Sequence, residues 1–106
     1  MSPLPSRRAP RFALLIEVEV MAVSTRERIR SFTSNVSRTG CYVATANPFS
    51  NFAQLWVQLT KGGQQIEAEG AVAHATGGQG MGISFETLHP EHQAILDGWL
   101  AEAEQS

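Results

Sequence analysis

At 106 residues the chain has room for one compact domain and too little for two that fold independently. Its single cysteine, Cys41, excludes an internal disulfide and a Cys-x-x-Cys metal or redox pair, and is expected to pack as a small apolar side chain. The formal net charge of -2 conceals an asymmetry: residues 1–40 hold seven arginines against three glutamates, while the remainder holds one lysine against seven acids. One part of the molecule is thus suited to a small anion, and the whole is poorly suited to nucleic acid.

Residues 1–10 contain three prolines, two arginines and two serines with few apolar groups. Such a composition cannot bury enough surface to order itself, and residues 1–11 are read as a flexible arm ahead of a domain over 12–106. The N-terminus lacks the apolar run of a secretory signal, so a cytoplasmic location is expected. Membrane insertion is not expected, because the apolar run over 12–20 is broken by Glu17 and Glu19. Within that run Phe12, Leu14, Ile16, Val18 and Val20 share one face, which predicts a half-buried strand.

A second strand is expected over 26–33, where Arg26, Arg28 and Arg30 form a solvated face. Residues 35–40 carry turn chemistry throughout: Asn and Ser bond nearby backbone, and Gly40 permits the positive φ of a sharp corner. Strands follow over 41–46, 53–59, 64–75 and from Met81 to Phe85. The Lys61-Gly62-Gly63 hairpin and the turn at 77–80 punctuate them, and Gly70 marks a bulge or corner. The period then changes. Pro90 suits the first turn of a helix, and Ile95, Leu96, Trp99 and Leu100 make one apolar face that should cover an open end or edge of the sheet. Six short strands and one helix predict a mainly β domain, either a small antiparallel barrel or a strongly curved sheet.

Two signals remain. Arg7 and Arg11 read R-x-x-x-R, and Asn35-Val36-Ser37-Arg38-Thr39-Gly40 reads N-x-S-x-x-G. In this order and at this separation they resemble the cyclic di-GMP receptor signature of PilZ domains. Gly40-Cys41-Tyr42-Val43 and Gly82-Ile83-Ser84-Phe85 resemble two further strands of that family, so the likeness covers the chain from Arg7 onward. Asn35 stands where Asp is commoner, a substitution within the family's pattern. The resemblance implies a six-stranded antiparallel β-barrel with a C-terminal α-helix. It also implies a ligand site of Arg7, Arg8, Arg11, Asn35, Ser37 and Gly40, in which the arm closes over cyclic di-GMP and the corner shapes a guanine pocket.

The chemistry suits those residue types. A cyclic dinucleotide offers two phosphates and two guanine O6/N7 edges, and the arginine fork can pair with either and stack on the purine. Pro10 biases Ala9 toward extended backbone, which lets Arg7 and Arg11 lie along a ligand rather than coil. The function expected is a cyclic di-GMP receptor that signals to a downstream protein partner, as a monomer or weak dimer. A ligand-independent adaptor of the same fold in motility or secretion is the alternative, and a single-stranded nucleic-acid barrel using Tyr42 and Trp56 is a weaker rival. No catalytic residues, metal or cofactor are expected. No nucleophile elbow is present, and His89-Pro90-Glu91-His92, despite its H-x-x-H spacing, sits where a helix begins and has no third ligand nearby.

Overall fold

The computed structural model describes residues 9–105. Six strands close into an antiparallel barrel in the order β1-β2-β3-β6-β5-β4. They are β1 (Glu17–Ala22), β2 (Arg28–Ser37), β3 (Gly40–Ala44), β4 (Gln54–Lys61), β5 (Gln64–Thr76) and β6 (Gly80–Leu88), followed by helix α1 (Pro90–Gln105). The choice left open between a barrel and a curved sheet is settled by the pairing of β1 with β4, which joins the two ends of the sheet.

Period-two alternation builds the core. Val18 and Val20 of β1, Leu55, Val57 and Leu59 of β4, Ile66 and Val72 of β5, and Met81 and Ile83 of β6 all point inward and are buried. Where β4 turns into β5, Gly62 and Gly63 both take positive φ, of 58° and 81°. That two-residue loop is the type whose twist matches its strands. Leu96, Trp99 and Leu100 of α1 join the same cluster, and the helix packs against β5 at the end of the barrel where β2 meets β3 and β4 meets β5. A closed barrel has no free edge, so the helix covers an end.

Three expectations need correction. The first strand was expected over 12–20, but β1 begins at Glu17. Before it, Phe12 makes an isolated bridge to Val36, and buried Thr33 donates its hydroxyl to Leu14 O while accepting from Ile16 N. The segment over 12–16 thus follows β2 with an irregular register. The second strand was expected to stop at Thr33, and residues 35–40 were read as a turn; instead β2 continues through Asn35, Val36 and Ser37, leaving only Arg38 and Thr39 to turn. At Asn35 the ladder with β3 prevailed over local turn bonding, while Ser37, at the strand end, joins the ladder and still bonds the turn locally. Gly40 is not among the glycines with positive φ. A Cβ there would collide with the carbonyl oxygen of Ile83 and lie 3.1 Å from its carbonyl carbon, so glycine is needed for the close approach of β3 to β6.

Candidate functional site

Asn35 reaches the barrel exterior because β2 slips register between Thr33 and Asn35. Thr33 faces the core, Ser34 is exposed, Asn35 is half-buried on the outside, and Val36 faces the core again. Without the extra residue, Asn35 would follow Thr33 into the interior. From its outward position the Asn35 Oδ1 accepts a 2.6 Å hydrogen bond from Arg11 Nη1. This bond fixes the Arg11 side chain against the corner. Arg11 is exposed and, among the described residues, pairs with no carboxylate, so its remaining donors keep their charge available for an anion.

Ser37 and Gly40 play a different part. Ser37 is buried, and its Oγ accepts from Thr39 N at 3.1 Å and lies 3.4 Å from Gly40 O and 3.2 Å from the Thr39 hydroxyl. Its hydroxyl therefore holds the two-residue turn in shape, while Gly40 seals the sheet behind it. Arg38, at the tip, donates from Nε and an Nη to the two oxygens of Asp97 on α1, at 2.8 and 3.3 Å. That bond and the attraction that goes with it raise the pKa of Arg38 and, with a hydrogen bond from Gln93, lower that of Asp97. Arg7 and Arg8 lie outside the described residues.

Across the outer surface Asn35 pairs with Tyr42, Tyr42 with Gly82, and Gly82 with His74, a row spanning β2, β3, β6 and β5. A cavity of about 340 Å³ lies on this row, bounded by Arg11, Thr39, Tyr42, His74, Gly82 and Ser84. No carboxylate lines it, and Arg11 gives it a positive sign. Beneath it Cys41 is wholly buried, and desolvation pushes its thiol up to about 12 against a weaker opposing effect of Arg11. A second groove, of about 350 Å³ on β1, β2, β4 and β5, carries Glu17 and Glu19 against Arg30, which is itself 3.6 Å from Glu19, so it holds no uncompensated cation for a phosphate ligand.

A family model described as the PilZ domain matches residues 5–102. The chain belongs to the PilZ domain family. This is a family of cyclic di-GMP receptors, and the signature corner and the barrel that carries it lie within the matched span. Among solved structures, the chain is similar to the Bacillus subtilis inhibitor of motility MotI/DgrA, with a TM-score of 0.79 and 18% identity over 96% of this chain and 52% of that one. It therefore spans about half the length of that protein. It is also similar to the PilZ domain of CeSA from a cellulose-synthesizing bacterium, with a TM-score of 0.69 and 16% identity over 91% of this chain and 99% of that domain. At these identities the likeness bears on the barrel and helix alone. No curated protein matches the sequence.

Sequence reasoning gave His74 no role and treated Tyr42 only as an exposed aromatic; both border the PilZ cavity. Gly70 signalled an irregularity, and the β5–β6 register does shift between Glu69 and Gly70, although the extra residue there is Glu86 of β6. The slip between Val72 and His74 that turns His74 outward has no glycine to announce it. Among the described residues no cluster of His, Cys, Asp or Glu could hold a metal, and no helix is long and apolar enough to cross a membrane. His92 is engaged instead with β5, its Nδ1 lying 3.2 Å from Glu67 N.

Proposed function

We propose that this PilZ domain is a cyclic di-GMP receptor that binds with Arg11, Asn35 and the Ser37–Gly40 corner, together with Arg7 and Arg8, and passes its occupancy to a protein partner. The observation that carries the reading is Arg11, fixed on Asn35 at 2.6 Å beside a cavity with no carboxylate in its lining. A guanidinium held in place and, among the described residues, free of an anionic partner is ready for phosphate or for a guanine edge, and each charge-assisted bond contributes about 1.5–3 kcal/mol net. Ordering the arm on the ligand costs conformational entropy, which makes binding responsive rather than permanent.

The route outward runs through Arg38. It sits at the tip of the corner yet is paired with Asp97 on α1, so a phosphate drawing Arg38 away would release the helix from the corner. The helix surface is thus the part of the domain whose contacts depend on the state of the site. Isothermal titration of the full chain with cyclic di-GMP tests the reading. The wild type binds, and Arg11→Ala loses most of the affinity while its circular dichroism spectrum is unchanged. A wild type that takes up no ligand at high micromolar concentration refutes the receptor and favours the ligand-independent adaptor.

A further inference from the structure

Tyr42 is half-buried on the outer face of β3, and across the ladder β6 offers it no side chains at Gly80 and Gly82. A Cβ on Gly80 would come within 2.7 Å of Tyr42 Cε2 and 3.1 Å of Cζ, and one on Gly82 would lie 3.9 Å from Cδ1. The ring therefore spreads over bare backbone that two glycines leave open. It also borders the 340 Å³ cavity, with Arg11 and His74 on the same lining. Among the described residues its hydroxyl makes no hydrogen bond, so what the position presents is the ring.

Two register slips, one on each side, aim their residues at this ring. The slip in β2 brings Asn35 outward beside Tyr42, and the slip in β5 brings exposed His74 outward beside Gly82. Both place polar groups around an aromatic surface whose neighbouring charge is a guanidinium. Bulges concentrate where a strand must re-aim a side chain at a site. The cavity is near the lower limit for a small-molecule pocket, so it fits one base rather than a whole cyclic dinucleotide. A ring already supported by the protein loses little freedom when a base lies on it.

We infer that Tyr42 is a stacking platform for one purine base of the ligand, with His74 facing that base from β5 and Arg11 from the arm. This inference rests on the cyclic di-GMP reading and deepens it. Tyr42 is the chain's only tyrosine, so selective labelling gives one unambiguous set of ring resonances. When cyclic di-GMP is titrated into the full chain, those resonances move upfield under the ring current of the base. Tyr42→Phe keeps the affinity within about threefold, whereas Tyr42→Leu weakens it by about tenfold or more, as loss of a base–aromatic stack requires. His74→Ala, at an exposed position, weakens binding severalfold with no change in melting temperature. Heat of binding with stationary Tyr42 resonances and an unaffected Tyr42→Leu overturns the platform but leaves the receptor reading standing. A wild type with no heat of binding overturns both.

Discussion

The replacement Gly40→Ala separates what the signature glycine does for the fold from what it does for a ligand. The added Cβ would overlap the carbonyl oxygen of Ile83 and lie 3.1 Å from Ile83 C and 3.4 Å from Ser84 Cα, all backbone atoms of the paired strand. Relief requires β3 and β6 to part by about an ångström at the Gly40–Ser84 and Cys41–Ile83 rungs. Overpacking of this kind costs about 1–3 kcal/mol, and weakening one or two ladder bonds adds about 0.5–1.5 kcal/mol each. The stiffer unfolded chain of alanine returns about 0.4–1 kcal/mol. The net loss is about 3 kcal/mol, a large part of the 5–15 kcal/mol typical of a domain. In urea denaturation followed by far-UV circular dichroism, the midpoint falls by about 2 M for the slope expected at this size. Gly82→Ala is the control: its Cβ meets nothing closer than 3.8 Å, and its midpoint stays near that of the wild type. A Gly40→Ala protein within 1 kcal/mol of the wild type would refute the close-approach account and move Gly40 from the fold to the ligand.

Three further outcomes follow from the same geometry. Arg38 holds the Asp97 carboxylate below its ordinary pKa, so this pair's contribution is complete above the unfolded value and disappears as pH falls through the lower folded one. Asp97→Asn therefore leaves stability above about pH 5 slightly reduced and flattens its decline below about pH 4, as read from urea midpoints across that range. Phe52 is 78% exposed and held at a φ of 69°, so Phe52→Asn, which tolerates that conformation, raises stability by about 0.5–1 kcal/mol in the same assay. Cys41, buried and with its thiol pushed up to about 12, resists a thiol reagent at pH 8 until the barrel unfolds, which mass spectrometry of the labelled chain detects.

Much of this architecture was legible because the barrel is written in alternation. Val18, Val20, Leu55, Val57, Leu59, Met81 and Ile83 announce their inward face by spacing alone, and Leu96, Trp99 and Leu100 announce the helix by a change of period. Glycine pairs and Pro90 marked where elements end, since their backbone preferences act locally. The signature residues were equally plain, because arginine, asparagine and serine at those spacings carry chemistry that turns with ordinary composition do not.

Tertiary pairing decided the rest. Whether β1 meets β4, how far β2 runs, and whether Asn35 faces outward along with Ser34 depend on ladders between residues remote in sequence. A register slip of one residue reverses a side chain's face without altering local composition. That is why Asn35 could be named from its motif while His74 could not. The closeness of β3 to β6, which requires glycine at position 40, likewise exists only once both strands are in place. Sequence specified the elements and the reactive groups; long-range backbone hydrogen bonding chose which of those groups share a surface.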